Sequence, residues 1–287
     1  MFQGQFKVGK SRMDLPLVSV CIPVHNVTRY LDEAIASVLA QTYGNFELVI
    51  ANGASQPEPR QLIEEIVSRY SDPRLQYFLN PGNFSMVENW NSAIMKARGI
   101  YLKLLCADDV LMADCLQRQV QALQMYPTVV LAAGSRVIIN GKGVRFFTRN
   151  GIGATGVYKG NKLIRRCILS GTNIIGDPVN VLWRRSAMGE AGKFDPDVLY
   201  CTDVEYWLRL LFEGDLFYDQ EPVGYYRIHT SASANALTSV TVEDFLRTTN
   251  KIVQKGAFRF SYWQMWLIRF RSWYKNKMRN FVYRFLG

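Results

Sequence analysis

Cysteine is scarce in this chain and shows no pairing pattern. The five cysteines, Cys21, Cys106, Cys115, Cys167 and Cys201, are odd in number, scattered, and form no C-x-x-C pair. That argues against a disulfide framework and against a cysteine-built zinc centre, and it suits a reducing compartment. Missing too is any uninterrupted apolar run of about 18 residues, the length that a spanning helix needs. The opening "MFQGQFKVGKSRMDLP" has no apolar stretch of signal-peptide length, so the expectation is a cytoplasmic protein. No internal repeat or low-complexity tract is visible. Acidic residues are absent from Lys251 to Gly287, where nine Lys or Arg fall. Nearly all of the net charge of +10 therefore lies in that tail, and the preceding 250 residues are close to neutral. Such an asymmetry speaks of a local partner and not of the whole surface.

What is present is an ordinary globular composition. At 287 residues and 48% hydrophobic, the chain has room for one large α/β domain or two modest ones. Its first 130 residues alternate strand and helix. "LVSVCIPV" (17–24) reads as a buried strand, and Leu31, Ala34, Ile35, Val38 and Leu39 then mark one face of a helix that Gly44 can close. "FELVIAN" (46–52) is the next strand, followed by a helix carrying Leu62, Ile63, Ile66 and Val67. After the strand "LQYFLN" (75–80), Ser85 with Glu88 is a capping-box signature for a helix reaching Arg98 and Gly99. "YLKLLCADD" (101–109) follows, and then a helix with Leu116, Val120 and Leu123 that stops before Pro127. Strands alternating with helices imply a mostly parallel sheet covered on both faces. The second half is less regular. "VVLAAGSRVIINGKGVRFF" reads as strand and hairpin about Asn140-Gly141, "KLIRRCIL" and "VEYWLRLLFEG" as short helices, and "FYDQEPVGYYRIH" as extended. From Val242 the pattern is helical to the end.

In an open parallel sheet, ligands bind beyond the carboxyl ends of the strands. Three such ends carry polar groups here: Pro23-Val24-His25-Asn26, Asn52-Gly53, and Asp108-Asp109. Each alone is ordinary turn composition; three at equivalent topological positions suggest a ligand site. Paired carboxylates at such a rim suit Mg²⁺ or Mn²⁺, which commonly bridge a carboxylate to substrate phosphates. "GIGATG" (151–156) fits G-x-G-x-x-G, but it follows the polar "TRN" and not a strand, so it lacks the context of a dinucleotide fingerprint.

Together, "VSVCIPVHN", "FELVIANGAS", "ARGIYLKLLCADDVL" and "YCTDVEYWLRL" resemble glycosyltransferase family 2, the inverting enzymes of the GT-A fold, in order from about Pro16 to about Asn235. The resemblance implies a GT-A domain over 16–240, preceded by a tail (1–15) and followed by a basic, aromatic-rich helical extension (241–287). It implies that Pro23, Val24, His25 and Asn26 frame the donor nucleotide, that Asn52 stands where the family often has an Asp reading the base, and that Asp108 lies near the ribose. It further implies Asp109 and His229 as ligands of Mn²⁺ or Mg²⁺, and Asp203 as catalytic base. The implied reaction moves a hexosyl or deoxyhexosyl unit from a UDP-, dTDP- or GDP-linked donor to a glycan or lipid-linked acceptor, as in polysaccharide biosynthesis. Two positions depart from the family: Ala51-Asn52, where consecutive acids are common, and Cys106, where the metal motif often begins with an acid.

Other readings of the same residues stand beside these. Thr202 or Asp203 also reads as the N-cap of the helix bearing Val204, Trp207, Leu208 and Leu211. His229, one of two histidines, also reads as a structural hydrogen-bonder, as does His25. A nucleotidyltransferase would use a similar sheet and metal ligands but wants a Gly-rich basic loop after the first strand, and "PVHNVTRY" is not one. A degenerate sugar-nucleotide binding module is the non-enzymatic alternative, motivated by Ala51, Asn52 and Cys106. In the tail, Trp263, Trp266, Leu267, Phe270, Tyr274, Phe281 and Phe285 share one helical side, with Arg269, Arg271, Lys275 and Arg279 mostly on the other. That pattern suits an anionic membrane surface, a helix packed on the domain, or a nucleic-acid tail, the last being the least expected.

Overall fold

A computed structural model of the chain describes residues 17–25, 29–53, 56–82, 84–229, 241–256 and 258–286, with side chains to residue 281. Asn26 and Phe285, singled out from the sequence, lie outside what it describes of side chains. Strand β1 (Val18–Val24) pairs in parallel with β2 (Phe46–Asn52) and β4 (Tyr101–Leu104), and β2 pairs in parallel with β3 (Leu75–Leu79). The helices between them are α1 (Leu31–Leu39), α2 (Pro57–Ser68) and α3 (Met86–Lys96). Every residue of β1 and β2 is buried, because helices cover both faces and each strand feeds two cores. Val18, Val20, Ile22 and Val24 enter one apolar cluster with α1, while Cys21 enters the other with α3, the period-two alternation of a strand. The capping box at the start of α3 is present: Glu88 N donates to Ser85 Oγ, and Ser85 N to Glu88 Oε2.

Beyond β4 the sheet turns mixed. Its order among the described residues is β3-β2-β1-β4-β9-β6-β10-β5, with β7 added to β6 and β8 to β10. Here β5 is Val110–Leu111, β6 Val129–Asn140, β7 Arg145–Arg149, β8 Gly156–Tyr158, β9 Val181–Arg184 and β10 Asp215–Ile228. β9 runs antiparallel to both β4 and β6, whereas β10 returns parallel to β6. The expected hairpin forms, with Asn140 Oδ1 accepting from Lys142 N and Val144 N. Strands β5, β8 and β9 are four residues or fewer, too short to show a period in sequence. "GIGATG" leads into β8 and not directly into a helix.

The remaining helices are α4 (Cys115–Met125), α5 (Gly160–Ser170), α6 (Met188–Ala191), α7 (Thr202–Leu210), α8 (Thr241–Lys255) and α9 (Tyr262–Leu286). The C-terminal run is thus two helices and not one. Phe245, Ile252 and Ile268 from this pair enter the same core cluster as β4 and β9. Aromatic rings seat α7: Trp183, Phe194, Tyr206 and Trp207 meet edge-on or tilted, with the Phe194 and Tyr206 centroids 4.0 Å apart. Trp207 Nε1 donates to Gly176 O at 3.0 Å, pinning the loop before β9 to α7. Trp207→Phe is expected to lower unfolding free energy by about 2–3 kcal/mol, through lost volume and an orphaned carbonyl. Urea denaturation of the two forms checks it; equal midpoints would mean that this bond does not hold the loop.

Candidate active site

The in-register parallel pairing of β1, β2 and β4 brings their carboxyl ends to one edge, since Val24 stands against Asn52 and Cys21 against Leu104. A cavity of about 1170 Å³ opens there, generous even for a cofactor-sized ligand. Pro23 and His25 line it, as do Ser85, Glu88 and Asn89 from the start of α3. Asn89 Nδ2 donates to Val24 O at 2.9 Å, and its Oδ1 accepts from Asn80 Nδ2 at 2.8 Å. Gly53 N donates to the same Val24 carbonyl. A Cβ on Gly53 would stand 2.9 Å from Asn89 Cγ, so glycine is what lets the strand end and the helix close on each other. Val24 therefore acts through its carbonyl, its side chain being buried. Asn52 is fully buried, donates to Tyr77 Oη at 2.9 Å, and is not part of the cavity wall.

The acidic pair lies past the end of β4, in a turn where Asp109 N donates to Cys106 O. Strand β10 braces this turn through Arg227. Its main-chain N donates to Asp109 Oδ1 at 3.0 Å and its Nε to Asp108 O at 2.8 Å. Its guanidinium pairs with Glu33 Oε2 at 2.5 Å and lies over the Tyr30 ring at 4.3 Å. His229 Nε2 meets Asp108 Oδ2 at 3.0 Å, with the Tyr30 ring at 5.0 Å. Asp109, the other carboxylate of the pair, is held by the main chain of Arg227. Both nitrogens of Arg227 that hold the turn come from "YRIH", where the sequence reading attended only to the histidine.

Cys106, Asp108 and Asp109 offer ligand atoms within 4.8 Å of one another. Asp109 is 1% exposed, and its Oδ2 is buried with no hydrogen-bond partner. Burial, then the charge of Asp108, hold its carboxyl well above the usual range. The Cys106 thiol is also raised, by burial and then by Asp109 and Asp108, which keeps it a neutral thiol. Two carboxylates, one with an unpartnered buried oxygen, fit a hard divalent cation; the protonated thiol does not add a third ligand of that kind.

Asp203 lines the same cavity, in the first turn of α7 behind Cys201 and not at its cap. Its Oδ1 accepts from Val204 N at 2.6 Å and its Oδ2 from Asn173 Nδ2 at 2.9 Å. Burial, then the like charge of Asp177, push its carboxyl up to about 7. Asp177 also lines the cavity and pairs with Arg136 Nη2 at 2.5 Å. The sequence reading singled out neither. Asp177 sits in Gly-Asp-Pro, a turn composition, and Arg136 lies inside a strand, so nothing local marks them.

The chain is similar to known proteins in sequence and in fold. The family model described as glycosyl transferase family 2 matches residues 19–191. An uncharacterized protein of Mycobacterium tuberculosis is 26% identical over 239 residues, which is 80% of this chain and 73% of that protein. An uncharacterized glycosyltransferase of Haemophilus influenzae is 34% identical over 107 residues, 37% of this chain and 42% of its own length. Among solved structures, S. aureus TarS 1-349 in complex with UDP-GlcNAc superposes with a TM-score of 0.65 at 15% identity, over 84% of this chain and 66% of that one. A mannosyltransferase of Pyrobaculum calidifontis in complex with GDP-Man and Mn²⁺ gives 0.62 at 15% identity, over 94% and 72%. These likenesses place the fold among GT-A glycosyltransferases. With its model matched from β1 through α6, the chain belongs to glycosyl transferase family 2.

Proposed function

We propose that this chain is an inverting glycosyltransferase, moving one hexosyl or deoxyhexosyl unit from a nucleoside-diphosphate sugar to a hydroxyl of a glycan or lipid-linked glycan. The observation that carries this reading is that Asp203 and the Asp108-Asp109 turn, from distant parts of the chain, open into one cavity. The UDP-GlcNAc and GDP-Man held by the two structural neighbours support a UDP-, GDP- or dTDP-linked donor. In this reading Pro23, His25 and Asn26 frame the nucleotide, with Val24 and the Asn52–Tyr77 pair behind them. Asp108 sits near the ribose, its carboxylate oriented by His229, which acts through Asp108 and not as a direct ligand. Asp109, with Asp108, would hold Mn²⁺ or Mg²⁺. When bound, such an ion stabilises negative charge on the departing diphosphate.

Asp203 takes the proton. The acceptor oxygen bonds to the anomeric carbon on the face opposite the diphosphate as the bond to the diphosphate breaks, and the hydroxyl proton passes to the Asp203 carboxylate. The amides of Asn173 and Val204 fix that carboxylate in place. A base must be ionised to act, so with its carboxyl near pH 7 the rate should fall as pH drops through about 7. Asp203→Asn is expected to cost about 10²–10⁴ in turnover and to remove that acid limb, while nucleotide binding persists. A pH–rate profile of both forms checks this; unchanged turnover in the variant would remove Asp203 from the mechanism.

The metal and donor are tested together by thermal shift. One nucleoside diphosphate among UDP, GDP and dTDP should raise Tm with Mn²⁺ present and much less with a chelator, and Asp109→Asn should erase the difference. Stabilisation that ignores the metal in both forms would leave Asp109 without this role.

The same reading includes docking on an anionic membrane surface, supported by the face of α9 turned away from the domain. Ile268 and Ser272 of this helix are buried, whereas Trp263, Trp266, Phe270, Trp273, Tyr274 and Phe281 are exposed and share the opposite side. The tail carries basic residues and no acid, a composition suited to anionic headgroups. No helix among the described residues is long and apolar enough to cross a membrane. Because α9 also walls the cavity, substitution tests this better than truncation. The triple variant Trp263→Ser, Trp266→Ser, Phe270→Ser should float poorly with phosphatidylglycerol vesicles that carry the parent chain. Equal flotation would reject this face as the membrane contact.

A further inference from the structure

The cavity carries cations as well as carboxylates on its wall. Strand β7 and helix α9 contribute Arg149 and Lys275 to its wall. Arg149 stands across from Arg136 in the β6–β7 register. Arg136 is paired with Asp177, so it cannot neutralise anything further without giving up that partner. Among the described residues, neither the Arg149 guanidinium nor the Lys275 ammonium has a carboxylate partner. Burial, then the like charges of Arg149 and Arg271, hold the Lys275 ammonium below its usual range. Two like charges on the wall of one cavity repel each other, a cost that an anion bound to both would relieve.

Their place in the fold identifies whose anion it is. Asp203 accepts from Asn173, which lines the cavity together with Gly171 and Thr172. Helix α9 closes on this segment: a Cβ on Gly171 would come within 2.7 Å of Ser272 N, and Lys275 is the next turn of that helix. Lys275 thus lies beside the segment that holds the proposed base, the part of the cavity that the acceptor must reach if Asp203 is to take its proton.

We propose that Arg149 and Lys275 bind a negatively charged group of the acceptor, so that the acceptor is an anionic glycan or a glycan linked to an anionic carrier. The inference rests on the reading of Asp203 as the base, which places the acceptor in this part of the cavity. Phosphate, diphosphate and carboxylate all satisfy the pair. A guanidinium takes their oxygens in a fork, and the ammonium adds a movable point charge.

The test uses the full chain with its donor side filled by the nucleoside diphosphate and Mn²⁺ that stabilise it most. Binding of three probes is measured by calorimetry: citronellyl diphosphate, trigalacturonate and neutral maltotriose. At least one anionic probe should bind well above maltotriose and lose about tenfold or more in the Arg149→Gln/Lys275→Gln double variant. The charge-preserving Arg149→Lys/Lys275→Arg variant should retain most of that binding. Preference for the diphosphate identifies a lipid carrier, and preference for trigalacturonate an acidic glycan; each supports the inference. Absence of anionic binding by the parent chain, or equal binding by the parent and the Gln variant, overturns it. Nucleoside diphosphate binding is measured in every variant. Its persistence separates failure of this inference from misfolding, and the Asp203→Asn profile separates it from failure of the base assignment.

Discussion

One buried arginine holds the acidic rim together. Arg227 is 3% exposed, and removing such a cation from water costs several kcal/mol unless its donors are met. They are met by Glu33 from α1, by the Asp108 carbonyl, and by the ring of Tyr30. Its own main-chain N holds Asp109 Oδ1. A turn with two adjacent carboxylates would otherwise splay under their repulsion. Here it is tied to the last long strand of the sheet on one side and the first helix on the other. The position of the carboxylates therefore depends on an ion pair spanning most of the sequence, and β10 must be fully formed before the rim has its shape.

That dependence explains how opposite charges can share one cavity without collapsing onto each other. Asp108 and Asp109 are fixed by Arg227 and His229, Asp203 by Asn173 and the α7 backbone, and Asp177 by Arg136. Arg149 and Lys275 are carried on different elements, β7 and α9. Each carboxylate is held by a local donor, so none swings across to a distant cation. The cavity wall therefore keeps both signs of charge, with carboxylates for a metal and diphosphate and cations where we place the acceptor.

Much of the nucleotide half was legible because it is built from local signals. β1 and β2 appear at their expected residues, the Ser85–Glu88 capping box forms as its spacing implies, and α7 follows from its apolar period. The acidic pair stood out because adjacent carboxylates at a strand end conflict with burial unless something compensates. What could not be read are interactions made across the chain. The Arg136–Asp177 pair joins a buried strand to a Gly-Asp-Pro turn, and neither segment carries a pattern demanding the other. The break between α8 and α9 is not legible because the apolar and basic residues run on through it. The seat of Ile268 in the core makes α9 a wall of the domain as well as an amphipathic tail.

Cys106 draws these points together. Its place in the motif is one where the family often has an acid, and here a buried thiol raised by Asp109 and Asp108 stays neutral. A neutral side chain beside two carboxylates lowers their mutual repulsion but leaves less negative charge to attract a cation. Asp177, from a different part of the chain, lies close enough that its charge raises both Asp109 and Cys106. The carboxylate missing from the turn is thus supplied to the same cavity from another segment. Arg136 tempers it, and it acts on Asp203 as well. Burial first, and then the charge of Asp177, push the Asp203 carboxyl toward neutrality.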